Sequence, residues 1–163
     1  MGALPTRLER LVDLFASSPK QIKIEALVDY ANRLPDPPEH LRNAEAMERV
    51  HECQTPFFVA SDVDDDGVVT LAFEVPRESP TMRGYAGLLA DGLAGATVDE
   101  ILDVPDTFYL AMGIEEVVSQ LRLRGMAAIL AQIKRQVRDL APICPPAGGK
   151  DPGARGPQDR SSW

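Results

Sequence analysis

The residues of this chain best suited to chemistry lie together in His51-Glu52-Cys53-Gln54-Thr55-Pro56, which holds one of two cysteines and one of two histidines. A cysteine thiolate is a strong nucleophile and a metal ligand, and its pKa and access decide whether it acts as either. Placed where an irregular segment enters a strand, a thiol sits on a fixed support and can still be reached from outside. From the residues alone two readings of Cys53 stand: a small buried apolar side chain, as most free cysteines are, or a reactive thiol. If residues 51 and 53 are both extended they share a face, and the His51 imidazole would favour the thiolate. Glu52 would oppose ionisation if it folded back. A cysteine hydrolase would also need a positioned histidine and an oxyanion site, and no signature surrounds His40 or His51. A metal centre built on Cys53, His51 and one carboxylate would be a thin ligand set, so no metal is expected.

Two other patterns raise the question of a site. Asp62-Val63-Asp64-Asp65-Asp66-Gly67 opens like an EF-hand calcium loop, with apolar Val69 in eighth place. Its twelfth place, where a bidentate Glu belongs, is Phe73, and Glu74 comes one residue late. The flanks alternate as strands, so an acidic hairpin turn is expected instead of a calcium site. Arg122 and Arg124 stand at the start of the last helical stretch, where cations oppose the helix macrodipole. That placement fits an external anionic partner or a solvated surface pair equally. Cys144 lies in a Pro/Gly-rich stretch and reads as an incidental thiol.

The elements that must position these residues follow from periodicity. Leu8, Leu11, Val12 and Phe15 mark a first helix, with Thr6 and Glu9 spaced as a capping box. Ser18 is expected to cap a second, with Pro19 in its first turn and Ile22, Ile24, Leu27, Val28, Ala31 and Leu34 as its apolar face. Three prolines within Pro35-Asp36-Pro37-Pro38 stop it. Residues 39–50 are polar and irregular, with a helical turn expected around Ala44–Met47 and a short strand around Arg49–His51. Phe57–Val63 and Val68–Val75 read as a hairpin through Asp64-Asp65-Asp66-Gly67, with Val69, Leu71, Phe73 and Val75 on one face. An apolar helix follows from Thr81 to Ala94. Its Gly84, Gly87 and Gly92 lower its intrinsic propensity, so it must depend on close packing. Thr97–Leu102 begins with a capping pattern, Asp106–Met112 is a short helix ending at Gly113, and Leu121–Leu140 is the strongest helix. Lys20 and Lys23 fall on an early helix and Lys134 on the outer side of the last one.

Helices, then strands, then helices make an α+β domain: a small antiparallel sheet of about three strands, with helices on one face. The expected domain is residues 1–141, and 142–163 read as a disordered Pro/Gly-rich tail. With 163 residues, 44% of them hydrophobic and 26% charged, the chain suffices for one core. A net charge of −8 argues against nucleic acid, which needs clustered Lys and Arg, and against anionic membranes. No apolar run reaches the roughly 18 residues of a membrane span. No apolar signal segment follows Met1, and Pro5 weakens the superficial myristoylation pattern of Gly2 and Thr6. Two cysteines far apart make neither a disulfide framework nor a metal knuckle, and a reducing cytosol is the expected location.

Over about residues 5–141 the chain resembles the SufE family, sulfur acceptors that work with cysteine desulfurases in iron–sulfur cluster assembly. The landmarks run in order: Leu34-Pro35, then Val50-His51-Glu52-Cys53-Gln54, the hydrophobic hairpin, Arg83-Gly84, Thr97–Leu102, and Arg122 with Gly125. The family pattern V-x-G-C-Q-S-x-V-W is kept at Val50, Cys53 and Gln54. It is changed at Glu52, Thr55, Pro56 and Phe58, with Glu52 standing where the family prefers glycine. The resemblance implies a SufE/NifU-like fold and a role for Cys53 as persulfide acceptor. It implies that Arg122 is near the partner-docking surface, that the chain stimulates its desulfurase, and that an iron–sulfur scaffold is the downstream acceptor. It implies no cofactor on this chain, the pyridoxal phosphate belonging to the partner. Sulfur relay to another thiolation pathway and a stand-alone cysteine-dependent enzyme remain the alternatives. A scaffold for the cluster itself would need about three cysteines or an equivalent ligand set, which Cys53 alone does not supply.

Overall fold

The computed structural model describes residues 4–42 and 47–141. The expected tail, Cys144 and residues 44–46 of the expected helical turn lie outside the described residues. Strands Phe58–Val63 (β2) and Val69–Glu74 (β3) pair antiparallel, with Val59 opposite Phe73 and Ala60 opposite Ala72. A two-residue strand, Glu48–Arg49 (β1), pairs with the other edge of β2, giving the order β1-β2-β3. The period-two reading of the hairpin holds. Val69, Phe73 and Val75 enter the main core and Leu71 packs at its margin. On the opposite face Ala60 and Ala72 form a small cluster with Leu41 from the 3-10 turn Glu39–Leu41.

At the hairpin turn the Asp64 Oδ1 accepts hydrogen bonds from the backbone N–H groups of Asp66 and Val68, both at 2.9 Å. Gly67 takes a φ of +80° there, a backbone state that favours glycine. That carboxylate is already used to close a turn. Among the described residues no group of three or more His, Cys, Asp or Glu comes together to hold a metal ion.

The helices gather on the face of the sheet that carries Val59, Val69 and Phe73. They are Thr6–Ala16 (α1), Lys20–Asn32 (α2), Pro80–Gly92 (α3), Val98–Leu102 (α4) and Gln120–Leu140 (α5), with 3-10 turns at Phe108–Met112 and Ile114–Glu116. α3 is the central one: Met82, Tyr85, Ala86, Leu88 and Leu89 are fully buried. Its Gly84 and Gly87 let the α2 backbone approach so closely that an added Cβ would overlap the carbonyls of Leu27 and Tyr30. Arg83 fastens the same corner, donating from Nε to the Ala31 carbonyl at 3.0 Å and from Nη1 to that of Val75 at 2.7 Å.

Local signals succeeded where no tertiary contact competed. Thr97 and Glu100 form the expected capping box, and Gly113 ends its 3-10 turn at φ +68°. Two other caps differ. α1 starts at Thr6 with Pro5 in the cap position and no side-chain cap, so Thr6 and Glu9 make no capping box. Ser18 caps nothing on α2; its hydroxyl turns back to donate to the Leu14 carbonyl at 2.6 Å, closing α1 instead.

The apolar face of α2 is narrower than its composition suggests. Ile22, Ile24 and Val28 are exposed, while Lys23, Leu27, Tyr30 and Ala31 are buried. The approach of the α3 glycines fixes which stripe faces inward. Burial of Lys23 is offset because its Nζ pairs with Glu116 at 2.5 Å and donates to the Gly113 carbonyl at 3.3 Å. Lys134 is not on the outer side of α5: its side chain is largely buried and pairs with Asp106 at 2.9 Å. Among the described residues, no helix is long and apolar enough to cross a membrane.

Candidate thiol site

β1 and β2 are the stem of a hairpin whose loop is residues 51–56. The Val50 N–H donates to the Phe57 carbonyl at 2.8 Å, extending the ladder by one rung, and both anchor side chains are fully buried. Inside the loop the Cys53 N–H donates to the Val50 carbonyl at 3.1 Å and closes a tight turn. His51 and Glu52 occupy its two central positions and are exposed, whereas Cys53 is only 5% exposed. This corrects the extended geometry that would have put His51 and Cys53 on one face: the chain turns here, leaving His51 exposed and Cys53 buried.

Cys53 lines a cavity of about 410 Å³ together with Gln54, Thr55, Ser119, Leu121 and Arg122. Burial pushes its thiol above the ordinary cysteine value. A hydrogen bond from the Thr55 backbone and the charges of Arg122 and Arg49 oppose that rise without cancelling it. The resting thiol is therefore protonated at neutral pH and shielded. The alkylation rate of Cys53 should consequently rise with pH about a midpoint above that of a free cysteine. Arg122→Ala removes a positive charge that favours the thiolate and should move the midpoint higher still. A downward move, read from the pH profile of iodoacetamide alkylation, would contradict this electrostatic account.

One helix supplies most of the site's support. Ser119 caps α5, its hydroxyl accepting from the Arg122 N–H at 3.3 Å, and this fixes Arg122 at the cavity rim. Arg124 does not line the cavity, so the two arginines that looked alike in sequence are separated by the helical turn. Gly125 lies beneath Cys53: a Cβ there would stand 3.3 Å from its Sγ. Further along, the Gln132 side chain donates to the Arg49 carbonyl at 3.2 Å. The Gln136 amide donates to the Val59 carbonyl at 3.0 Å and to Glu48 at 2.6 Å, and accepts from the Ser61 hydroxyl at 2.7 Å. The hairpin stem is thus bolted to α5 by two buried amides, and within the loop Thr55 Oγ1 donates to Ser79 Oγ at 3.4 Å.

Gln132 and Gln136 escaped the sequence reading, which followed only apolar residues along α5. Their signal was present: they fall on the buried stripe with Gly125 and Ile129, and an amide at such a position needs a hydrogen-bonding partner.

The chain is similar to several known proteins. A family model described as "Fe-S metabolism associated domain", SufE, matches residues 9–137. An uncharacterized SufE-like protein of Mycobacterium tuberculosis is 45% identical over 138 residues, which cover 85% of this chain and 96% of that one. The cysteine desulfuration protein SufE of Plasmodium vivax is 26% identical over 134 residues, covering 80% of this chain and 52% of that one. The solution structure of a hypothetical protein from Thermus thermophilus superimposes with a TM-score of 0.77 at 44% identity, covering 85% of this chain and 98% of that one. With a family model spanning most of its length and a relative this similar from end to end, the chain belongs to the SufE family.

Proposed function

We propose that this protein is a sulfur carrier: Cys53 accepts persulfide sulfur from a cysteine desulfurase and relays it to iron–sulfur cluster assembly. The observation that carries the reading is Cys53 itself, a protected thiol on a short loop between two buried anchors, beside an open cavity with an arginine at its rim. The names of the family and of its Plasmodium relative support it, since both speak of iron–sulfur metabolism or cysteine desulfuration.

The chemistry needs one nucleophile and nothing else from this chain. The desulfurase, with its own pyridoxal phosphate, presents a persulfide on its cysteine. The Cys53 thiolate attacks the outer sulfur, a new S–S bond forms at Cys53, the old one breaks, and the enzyme's thiolate leaves. Sulfur moves with no net oxidation, so the carrier needs no cofactor or metal. Attack requires residues 51–56 to swing outward, which brings the thiol out of its low-dielectric seat and lets its pKa fall. His51 and Glu52, on the exposed turn, act on the thiolate in that extended state. The setting is the cytosol, and the downstream acceptor is a cluster scaffold.

Arg122 sits at the mouth through which the loop must pass, and docking of the desulfurase there is tested by titration. In Arg122→Ala the concentration giving half-maximal stimulation of the desulfurase should rise by roughly tenfold, or ~1.4 kcal/mol, with the melting curve unchanged. An unchanged titration would remove Arg122 from the docking surface.

A further inference from the structure

Gly125 stands in the interior of a 21-residue helix, a position where glycine is a poor choice on propensity grounds. Two other helical glycines, Gly84 and Gly87, are explained by backbone: the carbonyls of Leu27 and Tyr30 occupy the space of a side chain. Gly125 has no such neighbour among its nearest contacts. The three atoms closest to a Cβ at that position all belong to Cys53: Sγ at 3.3 Å, Cα at 3.6 Å and Cβ at 3.6 Å. The nearest neighbour of the space that the glycine leaves open is therefore the buried thiol.

We infer that Gly125 is a positioning residue, the floor on which the resting thiol sits, and that its missing side chain sets the balance between the seated and extended forms of the Cys53 loop. The inference rests on the reading of Cys53 as the sulfur acceptor. A methyl group at 125 stands a few tenths of an ångström too close to Sγ, and what it presses on is a short turn, against a helix held along its length. The loop yields and the helix stays.

The test is Gly125→Ala in the full chain, read by iodoacetamide alkylation of Cys53 across pH and by thermal melting, with no desulfurase present. The expected result is a roughly three- to tenfold faster alkylation at neutral pH as the seated population falls, a pH midpoint moved down toward a free cysteine, and a Tm equal to or above that of the parent. An unchanged rate and midpoint would overturn the inference. If Gly125→Ala instead melts early, the double variant with Cys53→Ala decides. Recovery of the Tm once the sulfur is removed supports the seat, and persistent destabilisation assigns Gly125 to helix packing and overturns it. The sulfur-acceptor reading fails on a different observation, the absence of a desulfurase-dependent sulfur adduct on the parent protein, which leaves the alkylation comparison unaffected.

Discussion

Cys53→Ser is expected to keep the fold and to abolish sulfur transfer. The side chain is nearly isosteric, and the Thr55 backbone that hydrogen-bonds the sulfur offers the hydroxyl a partner, so the loss of stability should be about 1 kcal/mol. A serine hydroxyl has no accessible anion near neutral pH and forms no persulfide, so the exchange has no first step. Desulfurase turnover in the presence of the variant should equal turnover with no carrier at all, whatever the variant's concentration. Residual stimulation above that baseline would mean that part of the effect comes from docking alone and that the thiol is not the sole route for sulfur.

The largest effect on stability should come from Gly84→Ala. In an exposed helix interior this change helps by about 1 kcal/mol. Here the new methyl group overlaps the Leu27 carbonyl, a backbone atom that no rotamer change can move. Relief requires α2 and α3 to separate, which also pulls on the Arg83 bonds to Ala31 and Val75 and opens the packing around Met82 and Leu88. A net destabilisation of about 3 kcal/mol is expected, lowering Tm by roughly 10 °C. The contrast with Gly125→Ala, for which no loss of stability is expected, makes the result specific. A melting temperature for Gly84→Ala equal to that of the parent would contradict the close approach of α2 to α3.

What the sequence disclosed and what it hid divide along a physical line. The β2–β3 hairpin was legible because strand alternation and a turn aspartate beside glycine are local properties. So was the capping box of Thr97 and Glu100, whose two bonds form within one helical turn. The cap at Ser18 was misread because two helices compete for that hydroxyl, and the Leu14 carbonyl took it. The inward face of α2 was misjudged because glycines on another helix select it. Burial of Lys23 depends on Glu116 and Gly113, about ninety positions away. At the site, the thiol and Arg122 were found by residue type and by resemblance. The amide bolts at Gln132 and Gln136 and the floor at Gly125 arise from α5 lying along the hairpin stem, a long-range packing that no local pattern encodes. Glu52 is exposed at the turn.

Whether sulfur lands on Cys53 is decided most directly by intact-mass spectrometry. The full chain is mixed with a cysteine desulfurase, cysteine and pyridoxal phosphate, then separated without reductant, digested and mapped. The account predicts a gain of about 32 Da, one sulfur atom, confined to the peptide carrying Cys53 and absent from Cys53→Ser. A gain that persists in Cys53→Ser, or that maps to Cys144, would contradict it.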